Sequence, residues 1–190
     1  MASRLGVPWY FLPQNRKDSC NYFWSEDRLN YWKQYDGLCR VLNPSSLEPL
    51  IRLQRQNLIP QNATLINGQS GDFITGGHIP PALINGEPGV IELVESIISK
   101  HYGLWPPLLT PENREILESR IIEGLQIEAS EVYNKESICA LFETWEWQQR
   151  QTKHVIPQQA EYEHLGFSWQ LPLWDFEYVK FWQQMPLERR

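Results

Sequence analysis

The chain has 190 residues, 42% of them apolar and 13% aromatic, with a formal charge of −6; this suits a globular domain with a single core and excludes a disordered chain. It carries no Lys/Arg block able to neutralise a run of phosphates, which excludes nucleic acid as the expected partner. No stretch approaches the roughly 20 consecutive apolar residues of a bilayer span, and the start, Met1-Ala-Ser-Arg-Leu-Gly-Val-Pro, has no apolar core of signal-peptide length. The expectation is a cytoplasmic protein with no membrane partner.

In chain order, Leu5 to Pro13 is apolar and aromatic between Gly and Pro punctuation, which predicts a short buried strand. Residues 14–45 are polar and aromatic without a sustained period, and predict loops with short helices, one of them from about Glu26 to Tyr35. Ser46 is a candidate cap, Pro49 suits a first helical turn, and Leu50, Ile51, Leu53 and Leu58 supply an apolar face before Pro60. A second strand is predicted over Ala63 to Asn67, and it runs directly into a glycine-rich turn, Gly68 to Gly77. A strand feeding such a turn is how parallel α/β sheets present backbone N–H groups to a ligand.

The remainder reads as helix. Pro88 to His101 places Ile91, Val94, Ile97 and Ile98 at helical spacing; Thr110-Pro111-Glu112 combines a cap, an N1 proline and an early acid. Ile138, Leu141, Phe142 and Trp145 mark one face of a helix running to about Arg150. Asp175 precedes Phe176, Val179 and Trp182 and reads as a helix cap. No repeat or low-complexity linker divides the chain, so residues 1–190 are read as one domain.

Cys20, Cys39 and Cys139 share no CxxC spacing, and no His is adjacent to any of them, so all three read as ordinary reduced thiols. Trp145, Trp169, Trp174 and Trp182 read as packing residues, whereas Trp105, before Pro106 and Pro107, has no evident packing role.

Two segments carry candidate chemistry. The turn joins four glycines to one carboxylate, Asp72, and to the polar side chains of Gln69, Ser70 and Thr75. Glycines allow close approach to phosphate, and Mg²⁺ takes one or two protein carboxylates with water and phosphate oxygens completing its shell. Taken alone, the turn also fits an ordinary glycine-rich loop, since neither GxGxxG nor GxxxxGK[ST] is present. The second segment, Trp145 to His154, places Arg150 and Lys153 three apart, one face of a continuing helix; they read as a phosphate- or carboxylate-binding pair or as solvated cations.

The run Asn67-Gly-Gln-Ser-Gly-Asp-Phe-Ile-Thr-Gly-Gly77 resembles the glycine–aspartate loop of the asparagine synthetases and β-lactam synthetases. Gly166-Phe-Ser-Trp-Gln-Leu-Pro-Leu-Trp-Asp175 resembles their later Gly-x-Glu-x-Arg-x-Pro-Phe-Leu-Asp segment, in the family's order, and both are similar to the asparagine-synthetase-like proteins of bacterial polysaccharide gene clusters. Ser168 and Gln170 stand where that segment has Glu and Arg. The resemblance implies an ATP pyrophosphatase-like α/β fold: a parallel sheet with flanking helices and a helical C-terminal portion.

It also implies ATP-dependent amide-bond formation through an acyl-adenylate, with ATP and Mg²⁺ as cofactors and a small-molecule carboxylate as substrate. Asp72 would hold Mg²⁺; Gly68, Ser70, Gly71 and Thr75 would line the nucleotide; Lys153, with Gln69 and Arg150, would serve catalysis. The family's Ser-Gly-Gly-x-Asp-Ser pyrophosphate loop and its glutaminase domain do not occur in these residues. The start, Met1 to Trp9, resembles the helix end and second strand that come after that loop in the family, so the expectation is an N-terminally truncated domain completed by an N-terminal half or a glutaminase partner chain. A non-catalytic binding or regulatory module on the same fold is the alternative.

Overall fold

The computed structural model describes residues 2–13, 15–35 and 47–190, and helices carry most of them. In chain order the elements are α1 (Ala2–Leu5), α2 (Arg16–Phe23), α3 (Glu26–Gln34), α4 (Leu47–Arg55), β1 (Thr64–Ile66), α5 (Gly71–Ile74) and α6 (Pro81–Ile84). Then come α7 (Val90–Tyr102), α8 (Pro111–Leu125), α9 (Lys135–Trp145), a π-helical stretch (Glu146–Val155), α10 (Ala160–His164), β2 (Ser168–Gln170) and α11 (Phe176–Gln183). No described helix is long and apolar enough to cross a membrane.

The chain forms two compact units, Met1–Ile66 with Gln158–Gln170, and Asn67–Pro157 with Leu171–Arg190. The sequence pattern predicts one domain. The boundaries fall at strand ends and inside helical runs, not in a linker, so composition does not mark them.

In the first unit β1 and β2 pair in parallel, Thr64 opposite Ser168, Leu65 opposite Trp169 and Ile66 opposite Gln170. The structure therefore combines helix with a small parallel sheet. Gly166, at φ 79°, makes the turn into β2, and the Gln54 side chain donates to Leu165 O at 3.1 Å. Tyr31 and Leu47 are fully buried, and the Arg28 guanidinium lies 3.9 Å from the Phe23 ring centroid and 4.0 Å from that of Trp32. Helix α3 matches its predicted span, with Ser25 Oγ accepting from Arg28 N. The α4 helix is present, but Ser46 and Cys39 lie outside the described residues.

The strand predicted over Leu5 to Pro13 does not form: α1 ends at Leu5, residues 7–13 are irregular, and Val7, Trp9 and Phe11 are exposed. Composition favours extended backbone there, but a strand needs a neighbour to complete its ladder, and no described residue pairs with it.

The second unit holds the main core. Leu93, Val94, Ile97 and Ile98 of α7 meet Ile121 and Leu125 of α8 and Ile138, Cys139, Phe142 and Trp145 of α9. Ile91, expected on the buried face, is 76% exposed, and Leu93, at 0%, takes its place. An α-helix turns about 100° per residue, so the 93/94/97/98 set forms the tighter stripe. Thr110 and Asn134 cap α8 and α9 by accepting from Asn113 N and Ser137 N. Asp175 caps α11 as predicted, accepting from Glu177 N and Tyr178 N. The Cys139 thiol is buried against Leu83 O, and burial pushes its pKa up, the profile of a structural thiol. Trp145 is buried and Trp105 exposed.

Candidate functional site

All of the side chains that form the site belong to the second unit. The turn that comes after β1 in sequence is tightly built. Asn67 Oδ1 accepts from Gln69 N at 3.0 Å, and Ser70 then adopts a left-handed backbone, φ 71°. For a residue with a side chain that conformation costs about 1–2 kcal/mol, and it persists where surrounding contacts over-determine it. One such contact is a buried hydrogen bond of 2.6 Å, donated by Ser70 Oγ to Gln151 Oε1.

A single helical turn, α5, comes next and closes through Gly77 N to Asp72 O at 2.8 Å. A Cβ on Gly77 would stand 2.9 Å from Asp72 O, and one on Gly71 would stand 2.8 Å from Leu173 Cδ1. The backbone contact requires glycine at Gly77, whereas at Gly71 the obstacle is the movable end of the Leu173 side chain. Gly68 has nothing within 4 Å of a Cβ, so its place is open.

The turn delivers Asp72 into a chain of charges. Asp72 Oδ1 accepts from Phe73 N at 2.9 Å, and Oδ2 lies 2.9 Å from His78 Nε2. His78 Nδ1 is 2.8 Å from Glu146 Oε2. The other oxygen, Glu146 Oε1, has Lys100 Nζ and His101 Nε2 each 2.9 Å away, as ion pairs off the alignment of a hydrogen bond. Arg150 is 3.5 Å from His78 Nδ1 and 4.0 Å from Glu146 Oε2.

The Glu146 side chain is fully buried, whereas that of Asp72 is 71% exposed. Burial pushes the Glu146 carboxyl up, but the contacts of His101, His78 and Lys100 outweigh it and hold the group well below the carboxylate range. Asp72 is likewise lowered: burial is the largest single effect and raises it, but the hydrogen bonds of His78 and the Phe73 N–H, with the His78 and Arg150 charges, together prevail.

The π-helical stretch makes this arrangement possible. Its i→i+5 hydrogen bonding brings residues five apart onto one side, so Glu146 reaches His78 while Gln151 reaches Ser70. In an α-helix of 3.6 residues per turn, those two positions would diverge. The same widening separates residues three apart, which corrects the expectation that Arg150 and Lys153 share a face. Arg150 joins the Glu146 cluster, whereas Lys153 is exposed and donates to Gln149 Oε1.

The structure thus brings Asp72 and Arg150 together, with His78, Glu146, Lys100 and His101, which the sequence pattern does not single out. The hydroxyl of Ser70 is committed to Gln151 and that of Thr75 to Gly71 O at 2.9 Å, so neither proton is directed outward. Gln69 is half-buried beside Asn67. The acid at Glu146, inside an aromatic helix face with Arg150 at i+4, was the available signal for the missed cluster. Among the described residues no group of three or more His, Cys, Asp or Glu has the geometry to hold a metal by itself. Asp72 fits the other pattern, an exposed carboxylate with fixed oxygens that shares a Mg²⁺ with phosphate. No family model, curated protein or solved structure matches this chain.

Proposed function

We propose that this chain carries part of the nucleotide-handling site of an ATP-dependent amide-forming synthetase of the asparagine-synthetase-like kind, acting through an acyl-adenylate. The observation that supports the reading is Asp72, an exposed carboxylate on a glycine turn with both oxygens fixed, one of them by the His78 ring whose other nitrogen lies 3.5 Å from the Arg150 guanidinium. When bound there, Mg²⁺ would neutralise charge on the leaving pyrophosphate of ATP. Asp72 would hold that ion and Gly68 would leave room for the phosphates. Arg150 would supply the cation, a role that the motif resemblance alone assigns to Lys153. The substrate class is a small-molecule carboxylate, and an N-terminal half or glutaminase chain is the proposed partner.

A second reading, a binding or regulatory module without catalysis, is favoured by the internal commitment of the Ser70 and Thr75 hydroxyls. Mg²⁺-dependent ATP–pyrophosphate exchange, over a panel of acidic substrates including aspartate, separates the two when the chain is combined with an N-terminal half that carries the pyrophosphate loop. The synthetase reading expects exchange by the combination that Asp72→Asn abolishes and Lys153→Ala leaves largely intact. A folded chain that binds Mg²⁺·pyrophosphate but gives no exchange in the combination supports the module, and exchange unaffected by Asp72→Asn removes Asp72 from the site.

A further inference from the structure

Resting on the Mg²⁺–phosphate reading of Asp72, we propose that His78 and Glu146 are its positioning residues: Glu146 fixes the imidazole, and the imidazole fixes the Asp72 carboxylate for the metal. An exposed aspartate ordinarily samples several rotamers. Here its Oδ1 is tied to the Phe73 N–H at 2.9 Å and its Oδ2 to His78 Nε2 at 2.9 Å.

The ring is held in turn. Its Nδ1 lies 2.8 Å from a carboxylate that is completely buried, and its face is tilted against Phe73 with centroids 5.8 Å apart. Each carboxylate oxygen has two acceptor directions, so the contacts from His78 and Phe73 orient Asp72 and leave acceptor capacity on its exposed side. A ligand held by an outer hydrogen-bond partner is the usual construction around metals, and loss of that partner lowers metal affinity about 10–100-fold.

Glu146 does not need His78 for compensation. Lys100 and His101 stand 2.9 Å from its other oxygen, and Arg150 is 4.0 Å from Oε2. Nor does the fold need Asp72 ordered, since its side chain is 71% exposed. The Asp72–His78–Glu146 chain therefore orders a group whose order contributes little to stability.

The test is titration of the intact chain with Mn²⁺ in the presence of inorganic pyrophosphate, monitored by the loss of the free-ion electron paramagnetic resonance signal, with circular dichroism to establish folding. Asp72→Asn should abolish high-affinity binding. His78→Phe, which keeps a ring but no donor, should weaken it about 10–100-fold, and His78→Gln, whose amide donor reaches about as far as Nε2, should recover most of the loss. His78→Asn, too short to reach Asp72, carries the same comparison where Phe disturbs folding. Wild-type affinity in a folded His78→Phe or His78→Asn variant overturns the positioning role and leaves the synthetase reading standing. Absence of Mn²⁺·pyrophosphate binding by the unmodified chain, or equal binding by Asp72→Asn, overturns both.

Discussion

Glu143 and Glu146 stand three residues apart, at the end of α9 and the start of the π-helical stretch, and both are shielded from water. Their environments push them in opposite directions. Glu143 has one cationic partner, Arg190, whose guanidinium nitrogen lies 3.0 Å and 2.9 Å from its two oxygens; burial is the larger effect and its carboxyl is raised. The Glu146 side chain has no solvent-accessible surface, yet its carboxyl is lowered, because His101, His78 and Lys100 converge on it from α7 and the turn. The sign follows the number of cations and donors within reach of each carboxylate, set against its desolvation.

The largest break in this comparison is Glu146→Leu, which leaves the cationic groups facing one another around an apolar side chain. Removing one partner of a buried ion cluster costs about 3–5 kcal/mol, read as a lower urea midpoint at pH 7. The acid limb of stability should change with it. A carboxyl lowered in the folded state contributes stability that is complete above the ordinary glutamate value of 4.5 and is lost as pH falls through the depressed value. Wild type should therefore lose stability below about pH 4.5 by more than Glu146→Leu does.

Arg190→Met is the intermediate case, with an expected loss of about 1.5–3 kcal/mol for hydrogen bonds to a charged group, less wherever Glu143 can take up a proton instead. For Glu143 the linkage runs the other way. Its raised folded value means that its contribution is complete below the ordinary 4.5 and is lost as pH rises through the raised value. Removing Arg190 raises Glu143 further, so the penalty measured by urea unfolding should grow from pH 4 to pH 7. A penalty that shrinks over that range would contradict the contrast between the two glutamates.

The smallest effect sharpens the comparison from outside. Arg120 and Glu123 form an exposed i,i+3 pair with side chains 73% and 68% accessible. Glu123→Gln should shift the stability read from urea unfolding by no more than about 0.5 kcal/mol.

Much of the helical framework was legible in the chain. Thr110 and Asp175 act as caps through hydrogen bonds to N–H groups two or three residues onward, and the 3.6-residue rhythm of Ile138, Phe142 and Trp145 marks a buried face. Strand β1 was legible because a short apolar run ends at a glycine turn. The same reasoning misplaced a strand at Leu5 to Pro13 and overlooked β2, since strand identity depends on a distant partner: Thr64 meets Ser168 across a long excursion of the chain.

The candidate site divides in the same way. Asp72 and the glycines were visible as a local motif, and Arg150 as a nearby cation. The grouping of His78 with Glu146, 68 residues apart, and of Ser70 with Gln151, 81 apart, was not. Both contacts depend on a π-helical turn that propensity does not predict. Short-range hydrogen bonds and side-chain periodicity are written within a few residues and can be read there; the hold on the His78 ring, and through it on Asp72, comes from Glu146, which only folding brings within 3 Å.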